Sequence, residues 1–282
     1  MAESQSVVGA ASAEEAELRP LQIEMNGINV ISDSERKGHP RDLFWPWFAA
    51  NVSVLGLSYG AFVLGFGISF WQAVVVSIVG IIVSFLLCGF IAVAGKRGSA
   101  PTMVLGRAAF GVNGNKLPSL ISWLLTVGWE TVLMILATLA TATVFDRLGW
   151  GGGTTTKVIA LIVITGLTIA GGVMGFDLIM RLQTVITVVT AVLTVMFIVL
   201  VADKIHWHTV SAIPSGSTEN VIGALVFTMT GFGLGWVNAA ADYSRYLPRR
   251  SSGRGVIGWT TLWNESGIAM VLLTQVVPKF PE

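Results

Sequence analysis

Charge is scarce in this chain, and so are the residues that most often carry chemistry. Asp, Glu, Lys and Arg make up 12% of its 282 residues, against about a quarter in soluble domains. The 53% hydrophobic content and mean hydropathy of +0.74 suit a chain whose solvent is largely lipid. The single cysteine, Cys88, lies inside an apolar run, which excludes a disulfide framework. Histidine occurs three times, at His39, His206 and His208. The His206-Trp-His208 pair offers two ligands and no third, so no metal site is expected. There is no H-E-x-x-H, no phosphate loop and no G-x-S-x-G elbow, so the chain does not read as an enzyme and no cofactor is expected. A net charge of +1 without a basic, aromatic-interleaved patch gives no sign of a nucleic-acid partner.

What the sequence does have is length of apolar run. No charged residue stands between Asp42 and Lys96, room for two helices at about 20 residues each. The turn between them is expected near Gly67–Trp71, where Phe70 and Trp71 suit a membrane interface. The apolar segments fall at about 43–69, 71–94, 119–145, 158–176, 183–202, 220–241 and 256–277. The expectation is an all-α, multi-pass protein of about seven spans occupying 41–282. Residues 1–40 carry Glu3, Glu14, Glu15, Glu17, Glu24, Asp33 and Glu35 against Arg19, Arg36 and Lys37, and read as a disordered tail. With the N-terminus in the cytoplasm, 13 of the 17 Lys and Arg residues fall on inner segments, and the positive-inside rule selects that orientation. A receptor or retinal protein would have the opposite orientation. A retinal protein also needs a lysine in the last span, and Lys279 follows it.

Two spans are unusual. Span 1 contains Asn51-Val-Ser53-Val54-Leu-Gly56-Leu-Ser58-Tyr59-Gly60, and span 6 contains Thr228-Met-Thr230-Gly231-Phe232-Gly233-Leu-Gly235-Trp236-Val-Asn238. Glycine weakens a helix, and glycine-interrupted segments at matching positions of two inverted repeats mark a transporter's binding site. Single pairs such as Gly56/Gly60, Gly171/Gly175 and Gly231/Gly235 also fit close helix packing. Taken together, spans 1 and 6 read as broken helices.

Span 3 carries Ser119, Ser122, Thr126 and Glu130 on one face, with Trp129 beside it. An acid inside a membrane is costly and functional by default. Glu130 is therefore a candidate proton carrier or cation partner, with a neutral hydrogen-bonded acid joining two helices as the other reading. Trp129, Phe232 and Trp236 lie near the middle of polar-bearing spans, where two aromatic faces could stack on a flat heterocycle. The row Thr184, Thr187, Thr190 and Thr194 reads as helix packing, and Glu265 is a weaker candidate in an irregular stretch.

The loop Gly95-Lys-Arg-Gly-Ser-Ala-Pro101-Thr-Met-Val-Leu-Gly-Arg107-Ala-Ala-Phe110-Gly111-Val-Asn-Gly114-Asn-Lys116-Leu-Pro118 resembles the signature of the nucleobase:cation symporter family, the purine/cytosine permeases and their allantoin and hydantoin relatives. The resemblance continues in Trp123–Thr131, in Asn51 with the span 1 glycines, and in Ala241-Asp242-Tyr-Ser-Arg245-Tyr246. It implies a five-plus-five inverted-repeat transporter that carries a nucleobase or related ring by symport with Na⁺ or H⁺ across the cell membrane. The ring would lie between Trp129 and Phe232, with Trp236 as the rival for the second place. Gly231 would let backbone approach it, and Glu130 and Asn238 would supply polar contacts. The span 1 half of a cation site would fall near Asn51, Val54 and Gly56. Asp242 and Arg245 read as a helix-end cap and ion pair. The family pattern extends past span 7, so the expectation is the first repeat plus the start of the second, in a truncated relative. Alternatives are an inactive fragment that only packs against a full-length partner, and an amino-acid permease of the same architecture; an active chain of seven spans is expected to work as a homo-oligomer.

Overall fold

The pattern of the helices follows from lipid as solvent, because a backbone without water must satisfy its own polar groups. In the computed structural model, which describes residues 23–51, 54–201 and 207–261, every regular element is a helix. Span 1 appears as α1 (Phe44–Asn51) and α2 (Val54–Leu64), and span 2 as α3 (Phe70–Gly98). Spans 3 to 5 are α4 (Lys116–Arg147), α5 (Thr154–Met174) and α6 (Phe176–Val201). Span 6 is α7 (Thr218–Met229), a widened turn and α8 (Ala240–Ser244), and α9 (Gly253–Thr261) begins span 7. Among the described residues, four helices are long and apolar enough to cross a membrane: Phe70–Gly98, Lys116–Arg147, Thr154–Met174 and Phe176–Leu200. The remainder of span 7, with Glu265, lies outside the described residues, as do His206 and residues 52–53 of the Asn51–Gly60 segment in which span 1 is expected to break.

The chain divides into two compact units, one of residues 1–27 and 116–182, the other of residues 28–115 and 183–282. In the first, α4 packs on α5. Gly175, at φ +74°, ends α5. Glu24 accepts a hydrogen bond from the Phe176 N–H at 2.8 Å, which places an acid at the start of α6 where the helix dipole favours one.

The second unit is built on α3. Ser69 caps it, accepting from the Gln72 N–H while Gln72 accepts from the Ser69 N–H, a reciprocal box. Gln72 also exchanges two hydrogen bonds with the backbone of Gly216. At the other end, Ser99 adopts a left-handed conformation and its N–H returns to Gly95. Between these caps one face of α3 carries Ala73, Ser77, Gly80, Ser84, Cys88, Ala92 and Gly95, all buried. The opposite face carries Val75, Val79, Val83, Leu86 and Phe90, all exposed. Small residues inward and large ones outward is the arrangement of a helix packed in lipid, where close backbone approach drives association. Helices α7, α8 and α9 and the widened turn all lie along the small-residue face.

The tail expected through residue 40 is too long. Glu24 is engaged in the first unit, as above. In the second, residues from Ile28 onward are docked: Ile31 is 1% exposed and its N–H donates to Ser99, and the Lys37 N–H donates to Tyr246. The Arg36 side chain is buried, bridged to Asp33 at 3.2 Å, and donates to the carbonyls of Lys96 and Leu247. Arg36 thus serves carbonyls that end two helical segments, and composition alone could not reveal it.

A second tie closes the same end of the unit. Thr102, at the start of the short helix after α3, donates its N–H and hydroxyl to Asp242 at 2.8 and 3.0 Å, and accepts from the Ala241 N–H at 3.0 Å. Asp242 is thus a cap, and its partner is the loop after α3.

Three substitutions test this packing. A Cβ at Gly95 would stand 2.7 Å from the Ala241 Cα. Gly95→Val should therefore cost about 1–3 kcal/mol, read as a lower melting temperature in detergent. Gly166→Ala, whose Cβ meets nothing within 4 Å, should leave the melting temperature unchanged or slightly raised. Asp242→Ala strands the Thr102 N–H and should cost about 1–3 kcal/mol by the same measurement.

Candidate functional site

The sequence places the site on the glycine-rich middle of span 6, and the structure departs from α-helical geometry at that place. Helix α7 ends at Met229, Thr230–Leu234 form a π turn, and the chain runs through a turn at 237–239 before α8. The approach to the break is marked by Thr228 and Thr230, whose hydroxyls donate to the carbonyls of Ala224 and Val226, four residues back. Such back-bonding bends helices, and π turns occur frequently at functional sites.

Two glycines make the turn possible for different reasons. A Cβ at Gly231 would run into the ring of Tyr59 on α2, and one at Gly233 into the backbone of Ser84 and Phe85 on α3. The turn is therefore pressed between α2 and α3, and the alternation of glycine with larger residues matches that sandwich.

Around the turn lies a chain of aromatic contacts, all but one of them edge-on. Phe232 is 2% exposed and packs against Tyr59 with ring centroids 5.2 Å apart. Tyr59 also meets Phe227 at 5.2 Å. Trp236 is half-buried and packs against Trp47 on α1 at 6.0 Å, and Trp47 in turn touches Phe85 and Tyr243. Asn238 lies in the turn before α8.

The residues expected to hold a cation are only partly described. Asn51 closes α1, buried at 4% exposure, and its side-chain amide donates to the Trp47 carbonyl at 2.6 Å. Val54 opens α2, with Gly56 in its first turn. Asn51 is thus placed beside the Trp47–Trp236 contact. Among the described residues no cluster of three His, Cys, Asp or Glu side chains could hold a metal ion.

Trp129 and Glu130 belong to the other unit. Both are exposed on α4, Trp129 at 36%. On that helix Thr126 donates to the Ser122 carbonyl, so part of the polar stripe closes on its own backbone. In the second unit Thr187, one of the threonine row, donates to the Trp45 carbonyl at 3.4 Å, as expected of packing.

Sequence reasoning missed Tyr59, Trp47, Ser84 and Cys88. Tyr59 belongs to the glycine-rich segment of span 1, and its value is visible only once Gly231 meets it. Ser84 and Cys88 share a face with Ser77 in a mostly apolar span, and nothing in that pattern singles out the two that meet span 6.

Comparison with known proteins supplies the family. A family model described as "Permease for cytosine/purines, uracil, thiamine, allantoin" matches residues 30–277. The chain is similar to the putative purine-cytosine permease YxlA of Bacillus subtilis, 25% identical over 81% of this chain and 48% of that protein. It is also similar to the purine-cytosine permeases FCY2 and FCY21 of Saccharomyces cerevisiae, at 24% and 25% identity, each over 82% of this chain and 43% of the relative. The chain thus spans about half the length of the curated relatives it matches. No solved structure matches it. With the family model covering residues 30–277 of its 282, this chain belongs to the cytosine/purine, uracil, thiamine and allantoin permeases.

Proposed function

We propose that the protein is a secondary transporter of a nucleobase or related heterocycle, coupled to Na⁺ or H⁺, in the cell membrane with its N-terminus in the cytoplasm. The observation that carries this reading is the π turn at Thr230–Leu234, which breaks span 6 on the residues the sequence singles out for the substrate. A broken span exposes backbone groups to a cavity, and a flat amide-bearing ring can use them. The relatives named as purine-cytosine permeases support that class of substrate.

In this reading Trp129 supplies one aromatic face and span 6 the other. Phe232 is the first candidate for the second face, but its ring is already covered by the Tyr59 edge. A substrate stacking on Phe232 therefore displaces Tyr59, whereas Trp236 has surface free without such a movement. Gly231 allows close approach, and Glu130 and Asn238 supply hydrogen bonds to the ring edge. Asn51, Val54 and Gly56 contribute the span 1 half of a coupling-ion site. The five-plus-five repeat supplies the frame for alternating access.

Uptake of labelled cytosine, uracil, adenine, hypoxanthine and allantoin by transport-deficient cells expressing the chain tests the reading. One base should accumulate, and Trp129→Ala should lower uptake at least tenfold with the chain still present in the membrane. Loss of an aromatic stack of about 0.5–1.5 kcal/mol together with its buried area is enough for that effect. No uptake of any base by the parent at normal membrane levels would overturn the reading, and would favour a chain that acts only beside a full-length partner.

A further inference from the structure

A π turn in lipid has a specific difficulty. Its ladder is wider and poorer than that of an α-helix, and no water is present to take the loosened N–H and C=O groups. The structure shows where those of one residue, Gly233, go. The Gly233 N–H donates to the Ser84 hydroxyl at 3.2 Å, and the Cys88 thiol donates to the Gly233 carbonyl at 3.0 Å. The Ser84 hydroxyl proton is itself committed to the Ile81 carbonyl at 3.1 Å, which turns an oxygen lone pair toward Gly233. Ser84 and Cys88 are both 0% exposed and stand one helical turn apart on the same face of α3.

The rest of that face follows span 6 along its whole described length. Gly80 meets Thr228 before the break, Ser84 and Cys88 meet Gly233 within it, and Gly95 meets Ala241 and Ser244 beyond it. Helix α3 is continuous over 29 residues where span 6 is not. It lies along the broken span as a splint lies along a fracture.

We propose that Ser84 and Cys88 are positioning residues, which hold the π turn of span 6 in the shape that presents Gly231 and Phe232 to the transported base. The proposal rests on the transporter reading above, but the splint itself can be tested without transport. Cys88 is the only cysteine in the chain, so its alkylation by N-ethylmaleimide in isolated membranes reports how tightly the turn covers α3. In the parent the reaction should be slow. Ser84→Ala removes the hydroxyl that accepts from the Gly233 N–H and should speed alkylation on the order of tenfold. Gly233→Ala, whose Cβ runs into the backbone of Ser84 and Phe85, should do the same and serves if Ser84→Ala does not accumulate. An unchanged rate in a variant present at parental level overturns the proposal.

The second arm reads positioning by uptake of labelled cytosine or adenine, whichever the parent accumulates. Cys88→Ala should raise the apparent KM about fivefold to tenfold. Cys88→Ser keeps a donor for the Gly233 carbonyl and should stay near the parental value. A purely structural loss lowers the amount of transporter, and with it the maximal rate, without moving the apparent KM. Parental KM in Cys88→Ala, or Cys88→Ser as impaired as Cys88→Ala, overturns the positioning role. If the parent accumulates no base, the transporter reading fails and alkylation alone decides whether Ser84 holds the turn.

Discussion

Most of what is distinctive in this chain depends on one constraint: in hydrocarbon, a backbone polar group that leaves its ladder must find a partner from another element. Span 6 leaves its ladder at Thr230. The partners come from α3, through two short hydrogen-bonding side chains in the stretch that faces the turn, Ser84 and Cys88. Everything else about α3 serves that approach. Its small-residue face lets span 6 come near enough for side chains as short as serine and cysteine to reach a backbone, and its apolar face turns outward. The glycines of span 6 are the other half of the same fit, since a Cβ at position 233 would separate the two helices and break both bonds.

The same logic governs the end of the unit that carries Lys96 and Arg97. Helix ends and the loops between them leave carbonyls without ladder partners, and here cations take them. Arg36 donates to the Lys96 and Leu247 carbonyls, and Lys96 donates to those of Arg249 and Ser251. The Asp242–Thr102 cap adds the complementary case, an acid that takes an orphan N–H. Basic residues that a topology argument counts as orientation signals are therefore also structural here. The two roles are compatible, because the positions where helices end are also those where lysine and arginine can reach water.

The helical class and the approximate spans are legible in the sequence because an uncharged apolar run of about twenty residues matches the thickness of a bilayer. The span 6 break is legible because glycine alternating with larger residues and preceded by threonines is a poor helix. The docking of the tail is not legible, for an identifiable reason. Acidic, low-hydropathy composition reads as disorder, but Ile31 and Arg36 dock through three positions far away in sequence, Lys96, Ser99 and Leu247. Local composition holds no record of such contacts. Ser84 and Cys88 are obscure for a similar reason. A serine and a cysteine in an apolar span are individually ordinary, and their meaning lies in a peptide about 150 residues away in sequence. Phe232 stands out in the sequence as an aromatic at the break, while its covering by Tyr59 comes only with the fold.

On the transporter reading proposed above, a binding segment must be defined in each state and still able to change between states, and the construction of span 6 suits both demands. A break held only by its own ladder could become regular by shifting hydrogen bonds from five residues to four, at the cost of its shape. A break held by a neighbour's side chains has a second set of partners whose exchange is coupled to the distance between helices. When α3 and span 6 are close, Gly233 is bonded outward to Ser84 and Cys88 and the turn stays wide. When they part, those bonds are lost together, and returning to the ladder becomes the way to satisfy the peptide in lipid. Helix separation and turn geometry are thus linked through one residue, Gly233, and the edge-on contact between Tyr59 and Phe232 lies beside it. On this argument, the glycine at 233 sets the shape of the site as firmly as the aromatic residue beside it.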